Sequence, residues 1–260
     1  MKFSVISAFP QMIQESLAWG VVGQALKKGL FEVQTINPRD YTQDVHKTID
    51  DRPFGGGDGM VMLYEPLDKA LQDHPELHSS RKIYLSPAGR TLDEALVKEL
   101  SQEKHLTLLC GRYGGVDQRF LNQHHFENIS VGDYVVSGGE LPALMIIDAI
   151  ARKIPGTLGH QDSAKEDSCA SSPFFEAPLY TRPRENVAGS VPSVLLSGDH
   201  KKIEEFRKWV GQALTLQARP GLKDQVDLVG LKKYLQKMDR QEAAVVGISS
   251  AFLDSFLGGE

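Results

Sequence analysis

Cysteine is nearly missing from this chain. Its 260 residues hold only Cys110 and Cys169, far apart and at no metal or redox spacing. That excludes a disulfide framework or a zinc ribbon and fits a reduced, cytoplasmic protein. No apolar run approaches the roughly 20 residues that a bilayer demands. The best candidate, Leu141 to Ala151, carries Asp148 in its middle. The start, Met1-Lys2-Phe3-Ser4-Val5, lacks the charged-then-apolar leader of an exported chain. Also missing are Gly-x-Gly-x-x-Gly, any Gly-Lys dipeptide, Gly-x-Ser-x-Gly and His-Glu-x-x-His. Dinucleotide-binding, phosphate-loop, serine-hydrolase and zinc-protease readings lose their usual support.

What is present is ordinary in bulk: 41% hydrophobic and 24% charged residues, enough for one large or two modest domains. The net charge of −5 argues at face value against nucleic acid, but it is unevenly spread. Residues 182–240 hold 12 Lys/Arg against 7 Asp/Glu, and the rest holds 17 against 27. A basic C-terminal piece can grip a phosphate backbone, and solvated helix faces would give the same count. Charge alone does not decide.

Short apolar runs alternate with helical patterns through residue 155. Phe3 to Phe9 reads as a strand stopping at Pro10, Met12 to Lys28 as one helix ending before Gly29, and Phe31 to Ile36 as a second strand. Lys82 to Ser86 and Leu106 to Cys110 are compact enough for buried strands, with a helix over Thr91 to Glu103 between them. Strand, helix, strand at this spacing is a crossover unit, which implies a parallel sheet. Pro142 sits in the first turn of an apolar helix running to about Lys153, where a missing N–H costs little. Residues 155–200 turn glycine-, proline- and serine-rich and read as linker and extended chain. Helices follow over Lys201 to Leu216 and about Leu228 to Met238. The expected division is a domain over 1–160, a linker over 161–175 and a helical C-terminal domain over 176–260.

Three loops follow strands and are crowded with turn residues: Leu85 to Arg90, Cys110 to Asp117, and Val131 to Pro142. In parallel sheets ligands bind at the carboxyl ends of strands, and glycines there let the backbone approach them. Each loop alone reads equally well as an ordinary turn; three on one sheet favour a pocket. Without a phosphate motif, a backbone-rich pocket is compatible with an adenosine-bearing cofactor such as S-adenosylmethionine. The glycine cluster Asp50 to Met60, with carboxylates, an arginine and Phe54, is either a plain surface loop or one that closes on a substrate. The polar stretch holding Arg152 and Asp167 is the last candidate, although Asp167 by itself reads as a cap or solvated loop residue.

Taken in order, several of these segments are recognisable. They are His46 to Gly57, Leu85-Ser86-Pro87, Cys110-Gly111-Arg112-Tyr113, Gly132 to Pro142 and Tyr180-Thr181-Arg182-Pro183. The chain resembles the bacterial tRNA (guanine-37-N1) methyltransferase family, TrmD, from Met1 to about residue 220. The resemblance implies an α/β SPOUT fold, a parallel sheet with a deep trefoil knot, plus a small helical C-terminal tRNA-binding domain. It implies methyl transfer from S-adenosylmethionine to N1 of G37 in tRNA by a homodimer, with neither membrane nor DNA as partner. By similarity the donor lies against Tyr84, Leu85, Ser86, Pro87, Gly111, Arg112, Tyr113, Gly114, Val131, Gly132, Tyr134, Val136, Gly138, Gly139 and Pro142. Asp167 of the partner chain and Arg152 match the catalytic pair; Asp50, Arg52, Phe54, Gly55 and Ser168 match the substrate contacts. The resemblance leaves room for Mg2+, for which no motif is present. Where the family usually reads Cys-Gly-Arg-Tyr-Glu-Gly, this chain has Gly114, and Asp58 stands in place of a usual proline. Two alternatives stay open: a catalytically weakened RNA-binding relative, and a SPOUT enzyme acting at another RNA site.

Overall fold

A computed structural model describes residues 1–159 and 172–258. The chain divides into two compact units, Met1–Gln161 and Asp162–Glu260.

The first unit is built on a five-stranded sheet in the order β2-β1-β6-β5-β7, with every neighbouring pair parallel. The strands are β1 (Lys2–Ile6), β2 (Glu32–Ile36), β5 (Arg81–Thr91), β6 (His105–Leu109) and β7 (Glu127–Ser130). β1 and β6 are apolar almost throughout and buried on both faces, as central parallel strands must be. One face packs Phe3, Val5, Ile83 and Leu108 beneath the helices α1 (Pro10–Ser16), α2 (Gly20–Lys27), α4 (Glu94–Leu100) and α6 (Glu140–Ala151). The other packs Ile6, Ile36 and Leu109 against α3 (Tyr64–Gln72) and α5 (Gln118–Gln123). The expected crossover from β5 through α4 to β6 is present. Arg81 clamps its start, reaching Glu99 of α4 at 2.7 Å and Glu127 of β7.

The helix expected over Met12 to Lys28 is instead two. Ile13, Leu17, Val22 and Ala25 are all buried. At about 100° per residue, one straight helix would carry Val22 on the face opposite Ile13. The chain buries both by breaking at Trp19, whose backbone is extended. The strand expected from Phe3 to Phe9 stops at Ile6, because the Ser7 hydroxyl accepts from the Phe9 N–H at 2.9 Å and starts the turn into α1. The glycine-rich segment is the tip of a small antiparallel hairpin, β3 (Asp50–Asp51) with β4 (Val61–Met62).

The second unit has its own core of Phe206, Trp209, Val210, Leu231, Leu235, Val246 and Leu253. Its helices are α7 (His200–Ala218), α8 (Leu228–Leu235), α9 (Arg240–Val245) and α10 (Ser250–Gly258). Asp199, Asp227 and Asp239 cap the first three, each accepting a backbone N–H of the first turn. A short hairpin, β8 (Glu185–Asn186) with β9 (Gly189–Ser190), precedes them. Phe174 packs on this core and the Phe175 N–H donates to Thr215 Oγ1 at 2.7 Å, so packing begins before residue 176. No helix of the described residues is long and apolar enough to cross a membrane.

Candidate active site

The first loop arises because β5 leaves its ladder. Leu85 and Arg90 both register with Ile129 of β7, so Ser86 to Gly89 are extruded between them. Gly89 permits it: a Cβ there would stand 2.5 Å from the Asn128 carbonyl oxygen. The second loop leaves β6 through the fully buried Cys110, and the third leaves β7 through Ser130. These two are zipped together. The Gly139 N–H donates to the Gly111 carbonyl at 2.9 Å, and Arg112 pairs antiparallel with Gly138. The approach is close enough that a Cβ on Gly139 would lie 2.6 Å from Cys110 Cα.

A buried polar chain locks that junction. Glu140, the first residue of α6, has no exposed surface. It accepts from the Ser7 hydroxyl at 2.7 Å and meets the Arg112 guanidinium at 2.9 Å. Arg112 also donates to the Ser137 carbonyl at 3.1 Å and lies over the Phe9 ring at 4.4 Å. Glu140 at a helix N-terminus is further favoured by the helix dipole. Burial, reinforced by the Glu140 charge, pushes the neighbouring Cys110 thiol well above its ordinary pKa and keeps it inert.

The three loops enclose a cavity of about 270 Å³. All fifteen residues expected to hold a cofactor line it, from Tyr84 through Gly111 and Val131 to Pro142. Gly115, Val135 and Ser137, from the same candidate loops but not named as donor contacts, line it as well, and so do Ile129 and Ser130, which no loop included. For Ile129 and Ser130 the only sequence signal was adjacency to the third loop. The walls are mainly backbone, glycine and aliphatic side chains. Burial holds the Tyr84 phenol above its usual pKa, hence neutral, and Arg112 is countered by Glu140. A cavity this uncharged suits a purine nucleoside and offers no cradle for a phosphate chain.

The expected substrate residues stand elsewhere. Asp50 lies in β3, and Arg52, Phe54 and Gly55 follow in the hairpin tip, where Phe54 is fully exposed. None of the four lines the cavity. The hairpin is nevertheless anchored to the second loop: the Gly114 N–H donates to the Met60 carbonyl at 2.7 Å, and Met62 N–H to Gly115 at 2.9 Å. A Cβ at position 114 would press on that Met60 carbonyl at 3.0 Å, so glycine here lets the hairpin sit close. Arg152 forms the half-buried C-cap of α6, its N–H donating to the Asp148 carbonyl at 3.1 Å. Asp167 and Ser168 lie outside the described residues. Among the described residues no group of three His, Cys, Asp or Glu side chains is placed to hold a metal ion.

The family model for tRNA (guanine-1)-methyltransferase TrmD matches residues 1–225. The chain belongs to this family. Among its relatives is a protein of Pseudomonas paraeruginosa, 46% identical over 243 residues, covering 90% of this chain and 96% of that one. Another, from Alcanivorax borkumensis, is 48% identical over 238 residues and 90% of both chains. A third, from Pseudoalteromonas atlantica, is 45% identical over 254 residues and 95% of both. All three carry the name tRNA (guanine-N(1)-)-methyltransferase.

Proposed function

We propose that this chain transfers a methyl group from S-adenosylmethionine to N1 of guanine 37 in tRNA, as a cytoplasmic homodimer. The observation that carries the reading is the uncharged, glycine-walled cavity at the ends of β5, β6 and β7 in a chain of the TrmD family. The donor fits it chemically: an adenosine needs backbone hydrogen-bonding groups and apolar walls, and the close Gly111 and Gly139 junction leaves no side chain in its way. Bound there, the donor supplies an electrophilic methyl group. Every other task falls to the protein. We assign removal of the guanine N1 proton to Asp167, stabilisation of charge on O6 to Arg152, and clasping of the guanosine to Asp50, Arg52, Phe54, Gly55 and Ser168. The SPOUT architecture with its trefoil knot belongs to the same reading, supported by the wholly parallel sheet and the three adjacent ligand loops.

Two features support the dimer. Leu141 and Met145, one turn apart on α6, are 50% and 48% exposed, an apolar stripe that a second copy would cover. The resemblance, for its part, takes Asp167 from the partner chain, so that each site needs two copies.

Methyl transfer to unmodified tRNA transcripts tests the activity, with G37 either retained or replaced. Transfer is expected only with G37. Transfer that survives its replacement would move the target site; tRNA binding without transfer would reduce the chain to a binding protein. The names of its relatives favour transfer to a tRNA guanine over binding alone.

The glycine junction makes a second test. Gly139→Ala would drive a methyl group into Cys110 Cα, so the second and third loops must part. The overpacking strain is on the order of 1–3 kcal/mol. We expect S-adenosylmethionine affinity to fall at least about ten-fold by calorimetry. Unchanged affinity would show that this junction does not shape the donor site.

A further inference from the structure

We propose that Glu94 and Lys153 are positioning residues: their ion pair holds the last turn of α6 so that Arg152 is presented to the guanine from that helix's exposed face. The inference rests on the role assigned to Arg152 above. It adds two residues that belong neither to the donor cavity nor to the assigned substrate contacts.

Arg152 follows directly on α6, and its backbone, at φ −61° and ψ −22°, continues the helix. Leu141, Met145, Asp148 and Arg152 are spaced four, three and four residues apart, so they lie along one face. The first three are exposed and Arg152 is half-buried. Lys153 comes next, about 100° further round the helix, and turns to α4 instead. Its Nζ meets Glu94 Oε1 at 2.5 Å, with the two side chains only 18% and 28% exposed.

The two partners differ in how firmly their backbones are held. Glu94 opens α4 on fixed ground: the Leu92 N–H donates to the Ser130 carbonyl at 2.7 Å, and Asp93 accepts from the Leu96 N–H at 2.8 Å. α6 is held through Ile146, Ile147, Ile150 and Ala151, all buried, but Arg152 and Lys153 lie beyond them. The Lys153 N–H has moved to the Ile150 carbonyl at 2.9 Å, the tightened bond of a helix that is ending. Helix ends fray, and the ion pair ties this one to α4. The bond is hard to release. Glu94 Oε1 is enclosed and receives no hydrogen bond among the described residues, so the ammonium is what answers its charge. If Lys153 swung away, a buried carboxylate would be left bare, which costs far more than parting an exposed pair.

Glu94→Gln removes the charge, keeps the shape and frees Lys153 to turn into solvent. The full-length variant and wild type are compared by amide hydrogen exchange along α6, donor affinity by calorimetry, and single-turnover methyl transfer to a G37 transcript. Exchange at Arg152 to Ile154 is expected to quicken at least about five-fold, while Ile146 to Ala151 stay protected. Transfer should slow on the order of ten-fold, because a displaced guanidinium no longer meets the charge on O6. Donor affinity should not change. Lys153→Arg keeps a cation opposite Glu94 and should hold the wild-type rate within about three-fold. The deciding comparison is made in Arg152→Lys, where adding Glu94→Gln should slow transfer by less than about two-fold, since the group it positions is already gone. Equal slowing in both backgrounds would overturn the proposal, as the pair would then act without Arg152. So would unchanged exchange at the end of α6, or an unchanged rate for Glu94→Gln. A wild-type rate for Arg152→Lys would instead refute the role of Arg152 itself, and the positioning role would fall with it even if exchange quickened.

Discussion

Glu140→Ala is expected to destabilise the first unit by about 3–5 kcal/mol, the range for removing one partner of a buried ion pair. The substitution removes the partner of Arg112, whose side chain is only 18% exposed. The guanidinium keeps its charge whatever the pH. It would be left with the Ser137 carbonyl and the Phe9 ring as its neighbours, neither of which carries a compensating charge. The Ser7 hydroxyl loses its acceptor in the same step. At roughly 2–4 °C per kcal/mol for a unit of this size, the melting transition should drop by about 6 °C or more. Glu140→Gln keeps the shape and one acceptor oxygen for the Ser7 hydroxyl but loses the charge facing Arg112, so it should lose less than Glu140→Ala, though not nothing. Thermal unfolding of the two variants provides the check. A drop below about 1 °C for Glu140→Ala would mean that solvent reaches Arg112 and the pair holds little. The substitution should also weaken donor binding, because Arg112 joins the second loop to the third and both line the cavity.

This brace was invisible in the sequence, where Glu140 reads as an acidic residue opening a helix and Arg112 as one member of a glycine-rich loop. Ser7 and Glu140 are separated by 133 positions, and no local pattern couples them. The loops themselves were legible because their chemistry is local. A buried parallel strand must end in a turn, glycines mark where backbone approaches backbone, and parallel strands direct their loops to one edge. That is why residues from three distant segments could be assigned to one cavity. The break at Trp19 was legible only in retrospect, since the period of the apolar residues changes there while their density does not. Helices α9 and α10 escaped because six and nine residues are too few to display a helical repeat, although α10 carries Phe252, Leu253, Phe256 and Leu257. The extrusion of Ser86 to Gly89 from β5 depends on register with β7, a partner some forty residues away. The roles proposed for Arg152 and Asp167 rest on the resemblance to the family alone, since no local chemistry singles them out.

Those two residues bear the largest expected effect on the reaction. Guanine N1 is a poor nucleophile while protonated, since its lone pair is committed to the ring amide. A carboxylate can take that proton only if the charge left on the base is stabilised at the same moment. Under the proposed mechanism Asp167 takes the proton and Arg152 faces O6, where an arginine stays charged at any working pH. Asp167→Asn keeps size and hydrogen bonding but removes basicity, and single-turnover methyl transfer should fall on the order of 10²-fold or more. Arg152→Lys keeps the charge but loses the planar fork, and should also be severely slowed. Because proton removal and charge stabilisation belong to one step, the double variant should be little worse than the poorer single one. Donor affinity should barely change in any of the three, which separates a chemical defect from a damaged cavity. If Asp167 instead serves as a helix cap or loop residue, asparagine is an equally good cap and its substitution would be nearly silent. A wild-type single-turnover rate for Asp167→Asn on a G37 transcript would therefore remove it from the chemistry.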